Sequence, residues 1–229
     1  MMWQPMIPKL IHHLWIDPSS QPTRLDTIPS DILENLASWR RIEPGYQQKV
    51  WLIEEIVALC QTHNLIDVVT AINSCRFPSM KADIARLVCL NIYGGFWVDL
   101  KLYLNLRFLD RLVGYDLVLT THFAKDDLPD PTGHLSNSFI GASPNNIIIS
   151  RTLEQVARNV NNRMKDSVYH ITGATNLMNS VKSSDNSESH FIFSHQATWD
   201  YLFTIRGGSY NGVGMHWSQR EKKESPYVS

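Results

Sequence analysis

The stretch from Lys81 to Lys101, KADIARLVCLNIYGGFWVDLK, limits the fold more than any other part of the chain. Lys81 to Tyr93 reads as a helix. Ile84 and Val88 form its core-facing side, and Ser79, just after Pro78, is its expected N-cap. Gly94-Gly95 stops the helix, with glycine where the chain must leave the last turn. Phe96-Trp97-Val98 is then a short apolar strand that delivers Asp99 at its C-terminal end. In an open α/β sheet, ligands bind outside the carboxyl ends of the strands. A carboxylate at that place suits a ribose hydroxyl, a sugar hydroxyl or a divalent cation, although a strand-end Asp also serves simply to cap a turn.

The rest of the chain repeats the alternation of strand and helix. Strands are expected at Ile11–Trp15, Gln48–Leu52, Asp116–Thr121 and Ser138–Ala142. Helices are expected after Ser30, through Ile32, Leu33, Leu36 and Trp39, and at Ile53–Thr62 and Leu65–Ser74. Two more follow, from Ser143 or Pro144 to about Val160 and from Thr172 to Val181. Ser183–Ser189 is a polar loop, and the glycine-bearing C-terminal stretch reads as irregular. The pattern predicts an α/β fold with a mostly parallel sheet flanked by helices, in a single domain over residues 1–229. A chain of 229 residues buries roughly 70% of the surface its unfolded form exposes, so it needs no disulfide or metal staple.

Charge and cysteine usage narrow the function. Lys plus Arg is 21 and Asp plus Glu is 22, for a net charge of -1, which lacks the basic field of a nucleic-acid binder. Cys60, Cys75 and Cys89 are odd in number and form no paired motif, so buried thiols in a reducing compartment are expected. The N-terminal MMWQPMIPKL has no charged segment followed by an apolar one, so no signal peptide is expected. No window reaches the ~18 apolar residues of a membrane span. The expected place is therefore the cytoplasm, with peripheral contact at the inner membrane face allowed.

Asp83 and Arg86 stand three apart on the predicted helix and share a face. They are either a solvated ion pair or a charged pair aimed into the cleft beside Asp99.

These residues sit inside a motif. The run ADIARLVCLNIYGGFWVDLK resembles the S-D-x-x-R, helix, Y-G-G, strand and D-x-D signature of the DXD-motif glycosyltransferases. That superfamily includes yeast-type α-1,6-mannosyltransferases, capsular polysaccharide sugar transferases and the glucosylating toxins. IPKLIHHLWID is similar to the family's opening I-P-K-x-I-H-x-x-W strand. Ser38-Trp39-Arg40 with Pro44-Gly45-Tyr46 and Val50-Trp51, Asn137-Ser138-Phe139, Ile171-Thr172-Gly173 and Met215-His216-Trp217 resemble later motifs in the right order, over roughly residues 8–217.

The resemblance implies a GT-A type Rossmann-like domain that binds a nucleotide sugar, UDP- or GDP-linked, as co-substrate. It implies that Trp15 stacks on the base and that Asp83 and Arg86 contact the donor sugar and diphosphate. Asp99 would hold ribose and donor sugar, Asn137 the transferred sugar or acceptor, and His216 the diphosphate or its metal. The implied activity is hexosyl transfer to a glycan or glycolipid, with retention of configuration, in polysaccharide or lipopolysaccharide synthesis. An inactive nucleotide-sugar-binding relative and a protein-glycosylating effector are the alternatives.

One departure matters. The second Asp of D-x-D is Lys101. Protonated lysine has no lone pair for a metal. Asp99 and His216 are then the remaining candidate ligands for a Mn or Mg ion. Placed two residues after Asp99 in an extended strand end, Lys101 would face the same side and offer the diphosphate a positive charge, with Arg86 supplying a second.

Overall fold

The computed structural model describes residues 7–17, 23–121, 135–184, 190–194, 197–206 and 217–228. The described residues form eight strands: β1 Leu10–Trp15, β2 Gln47–Leu52, β3 Gly95–Val98, β4 Leu102–Leu104, β5 Leu117–Thr121, β6 Leu135–Ala142, β7 His190–Phe193 and β8 Phe203–Ile205. The helices are α1 Ser30–Ile42, α2 Ile53–Thr62, α3 Ile66–Ser74, α4 Pro78–Tyr93, α5 Ile147–Asn161, α6 Val168–Ile171, α7 Ala174–Lys182 and α8 Trp217–Arg220. Six strands form one sheet in the order β2-β1-β3-β6-β5-β7, and β4 pairs with β8 in a second, smaller sheet. In the large sheet β6 runs antiparallel to both of its neighbours, while the β1–β2, β1–β3 and β5–β7 pairs are parallel. The α/β class and the mostly parallel sheet are as the sequence predicts.

Period-two alternation divides the core between the two faces of the sheet. Trp97, Ile140, Leu117 and Leu119 pack on one face with Ile84, Val88, Ile148 and Val156 from α4 and α5. Phe96, Val98, Phe139 and Val118 pack on the other with Trp39 of α1 and Phe203 of β8. The face toward α1 is a stack of aromatic rings, with Phe139 centred 5.0 Å from Phe203 and 5.8 Å from Phe96.

Several local expectations shift. Ser30 is the first helical residue of α1, and the cap position is Pro29. Likewise α4 begins at Pro78, with Phe77 as cap and Ser79 inside the first turn. Proline at the first helical position has no amide proton to leave unpaired, so it starts the helix where a serine cap was expected. Asn146, rather than Ser143 or Pro144, opens α5 by accepting from the amides of Ile148 and Ile149. The C-terminal stretch holds β8 and α8, and Tyr227 bridges back to Cys75. These elements carry little periodicity of their own and exist through pairing with distant partners.

The Gly-Gly break works as sequence predicts. Gly94 and Gly95 have φ of 64° and 95°. A Cβ on Gly95 would stand 2.5 Å from the Leu10 carbonyl oxygen. Only glycine takes both the conformation and the close approach. Strand β3 is also held by two histidines of β1. His12 bonds the Gly94 carbonyl oxygen at 2.8 Å, and the Trp51 indole N–H donates to its other ring nitrogen at 3.0 Å. His13 bonds the Val98 carbonyl oxygen at 2.8 Å, and the Gln48 side-chain amide meets its other nitrogen at 2.8 Å. Each ring thus donates once and accepts once, the pattern of a neutral imidazole.

Burial pushes His12 down to about 4 and His13 down to about 3. In the unfolded chain both bind protons near pH 6.5. The stability they lend is therefore complete above pH 6.5 and is lost as pH falls from there to about 4 for His12 and about 3 for His13. The steepest loss is about 1.4 kcal/mol per pH unit for each histidine. Thermal unfolding between pH 7.5 and 5 should show this slope, and His13→Gln should flatten it. A variant profile as steep as the wild type would refute the assignment.

Candidate active site

The carboxyl ends of β1 and β3 and the start of β6 open onto a cavity of about 500 Å³. That is within the range of ligand sites. Asp83, Arg86, Asp99, Lys101, Asn137 and Trp15 all border it. The structure thus brings six of the seven sequence-predicted residues to one place. His216 lies outside the described residues.

The centre of the site is Arg86, which is 4% exposed. Its Nη1 donates to Asp83 Oδ1 at 2.8 Å and its Nη2 to Asp99 Oδ1 at 3.2 Å. The guanidinium also lies 5.4 Å from the Trp97 ring centre. The Asp83–Arg86 pair is therefore buried and not a solvated surface pair. Asp83 Oδ1 further accepts from the Asn137 amide, and Oδ2 from the Thr172 hydroxyl, both at 2.8 Å. Burial pushes the Asp83 carboxyl up, while Arg86 and then the Thr172 hydroxyl pull it back. Three segments meet on this one carboxylate: α4 through Asp83 and Arg86, β6 through Asn137, and the end of α6 through Thr172.

Asp99 follows the last residue of β3 and is anchored by its amide, which donates to the Ser138 carbonyl of β6 at 2.8 Å. Its Oδ1 accepts from the Trp97 indole at 3.0 Å as well as from Arg86. Oδ2 remains for a ligand hydroxyl. After Asp99 the chain does not stay extended. The Leu102 amide bonds the Asp99 carbonyl at 3.0 Å, so Leu100 and Lys101 are the corner of a turn. The strand alternation expected to put Asp99 and Lys101 on one side does not apply, yet the turn still sets Lys101 at the cavity.

Trp15 is 2% exposed and donates its indole N–H to Thr27 Oγ1 at 2.9 Å. It packs with Ile28, Ile32, Leu36 and Leu100. The ring reaches the cavity as part of its wall and not as a free-standing platform.

Sequence reading missed three contributors. Trp97 was a core strand residue, and Thr172 belonged to a turn motif. Arg220 lay in a C-terminal stretch with no recognised element. It lines the cavity from α8, with its guanidinium 5.0 Å from the Phe77 ring centre. The Thr-Gly turn motif was the signal for Thr172; no local signal existed for Arg220.

A Mn or Mg ion needs several oxygen ligands. The described residues do not supply them. Both Asp83 oxygens and Asp99 Oδ1 are already committed to protein donors, and the next ionisable side chain at the cavity, Lys101, offers no metal ligand when protonated. No group of three or more His, Cys, Asp or Glu side chains converges among the described residues.

A family model described as "Capsular polysaccharide synthesis protein" matches residues 24–207. An uncharacterized glycosyltransferase of Acanthamoeba polyphaga mimivirus is 25% identical over 140 residues, which are 61% of this chain and 51% of that protein. The chain thus spans about half the length of the curated relative it matches. Among solved structures, the PaToxG glycosyltransferase superposes with a TM-score of 0.53 at 16% identity, covering 78% of this chain and 70% of that one. The shared feature at this identity is the glycosyltransferase fold. No described helix is long and apolar enough to cross a membrane.

Two substitutions separate architecture from ligand binding. Arg86→Met leaves the buried Asp83 carboxylate without its cation and should cost about 3–5 kcal/mol. Asp99→Asn keeps the shape of a partly exposed side chain and should leave the melting temperature nearly unchanged. Chemical denaturation of both variants checks this, and equal losses would contradict the central role of Arg86.

Proposed function

We propose that this chain, which belongs to the capsular polysaccharide synthesis family, transfers a sugar from a nucleoside-diphosphate donor to a glycan or glycolipid hydroxyl. The observation that carries the reading is the Asp83–Arg86–Asp99–Asn137 cluster, set at strand carboxyl ends in a cavity of about 500 Å³.

Each part has a task in such a reaction. Asp99 Oδ2 accepts hydroxyls of the ribose and donor sugar. Asn137 orients the transferred sugar, and Asp83 holds the Asn137 amide in place. Trp15 provides an apolar wall for the base. Cations neutralise the charge that grows on the departing diphosphate, the largest electrostatic demand of this chemistry. The Asp83 carboxylate is tied by three hydrogen bonds. Such a group is a poor covalent nucleophile, which agrees with transfer that retains configuration without a glycosyl-enzyme intermediate. The use of the product in surface polysaccharide or lipopolysaccharide is part of the same proposal.

The test is release of nucleotide from UDP-Gal, UDP-Glc, UDP-GlcNAc and GDP-Man. One donor should be hydrolysed or transferred, and Asp99→Asn should slow it more than tenfold, a barrier increase of about 1.4 kcal/mol or more. No release with any donor, in the presence or absence of metal, would overturn the reading. Tight nucleotide binding without release would favour a non-catalytic binder. Incubation with proteins and a mass gain of one hexose would favour a protein-modifying enzyme.

A further inference from the structure

We propose that Lys101 and Arg220 act as a pair of cations that receives the diphosphate of the donor in place of a divalent ion. The inference rests on the donor-binding reading above and deepens it.

Arg86 is the cation that sequence reasoning nominates as partner of Lys101, and the structure removes it from that role. It is 4% exposed, and its two terminal nitrogens donate to the carboxylates of Asp83 and Asp99, which compensate its charge. One guanidinium between two carboxylates leaves that cluster with a net negative charge, which repels a diphosphate. The positive charge must come from elsewhere on the cavity wall.

Two side chains there provide it. Lys101 stands at the corner of the turn that follows Asp99 and makes no ion pair among the described residues. Arg220 reaches the same cavity from α8. Its Nε and Nη2 grip Glu224 side-on, at 3.1 and 2.9 Å. That grip leaves Nη1 to donate to a phosphate oxygen. Glu224 is not neutralising Arg220 alone, because Arg76 stands 3.9 Å from it. The carboxylate therefore orients the guanidinium while sharing its charge between two arginines.

The segment that carries Arg220 is fastened at two points after α8. Glu221 accepts from the Val168 amide at 2.8 Å, and the Tyr227 hydroxyl donates to the Met164 carbonyl at 2.7 Å. Arg220 is thus a fixed wall residue, held by contacts distant in sequence. A fixed guanidinium and an ammonium supply charge and hydrogen-bond donors to a diphosphate, which is what a divalent ion supplies through Lewis-acid bonds. Of the Asp83 and Asp99 carboxylate oxygens, all but Asp99 Oδ2 accept from protein donors.

Calorimetry with UDP and GDP on the full chain tests the pair, first in EDTA and then with Mg and Mn. One of the two nucleotides should bind in EDTA, with affinity changed less than threefold by either metal. Lys101→Met and Arg220→Met should each weaken that binding at least tenfold, and Lys101→Arg should retain it. Uridine and guanosine, which lack phosphate, should bind the variants as they bind the wild type. Lys101 lies on a turn, so its variants keep the proposal testable even if Arg220→Met perturbs the C-terminal segment. Binding that appears only with metal, or Lys101→Met binding as tightly as wild type, overturns the cation pair while leaving the transferase reading intact. Absence of nucleotide binding under every condition overturns both.

Discussion

The architecture of the site hangs on one buried guanidinium. Arg86 joins Asp83 on its own helix to Asp99 at the end of the neighbouring strand. Burying the charges of Asp83 and Arg86 costs several kcal/mol per ion before any attraction is gained, so a well-packed apolar cluster would do better for stability alone. What the arrangement secures is position. It ties α4 to the end of β3, and through Asn137 and Thr172 it ties both to β6 and to the turn after α6. The α4–β3 unit, β6 and the turn after α6 are thereby brought to fixed places around one ion pair.

That clamp needs β3 to end where it does. The Gly94-Gly95 turn lets the chain reverse from α4 into β3 with its backbone against Leu10. His12 and His13 then hold the carbonyls at the two ends of the strand, Gly94 and Val98. Neutral imidazoles serve here because each can donate to a carbonyl and accept from a second partner within the core. The residue after Val98 is Asp99, so the histidine pair fixes the register of the site residue without touching the cavity chemistry. The pH sensitivity of the fold and the geometry of the site share a cause.

The charges around the cavity fall into two sets with different work. Arg86 is consumed by architecture. Lys101 and Arg220 border the open space, the first on the turn after Asp99, the second on a segment tied to Cys75 through Tyr227. A site in which the central cation is structural must take its ligand-facing charge from the periphery. The periphery here is built by the turn after β3 and by the C-terminal segment that carries Arg220.

Much of this was legible in the sequence. Short apolar runs next to glycine, proline and helical spacing gave the five main strands and the long helices, because hydrophobic periodicity is a local property. The Lys81–Lys101 motif pointed to Asp83, Arg86 and Asp99, since helix, glycine break and strand force those residues toward one end of the sheet. The antiparallel direction of β6, the small β4–β8 sheet and the short α6 and α8 were not legible. They depend on pairing across long sequence separations, such as Leu104 with Phe203. Whether Asp83 and Arg86 lay in solvent or in the core could not be read either, because a polar pair has the same spacing in both settings. Only tertiary packing decided that Arg86 would be enclosed between two carboxylates, that Leu100 and Lys101 would turn rather than extend, and that Arg220 would arrive at the cavity. The physical reason is common to all three. Local preference sets what a segment can be, while burial, charge compensation and hydrogen-bond satisfaction are settled by neighbours that the chain brings together only on folding.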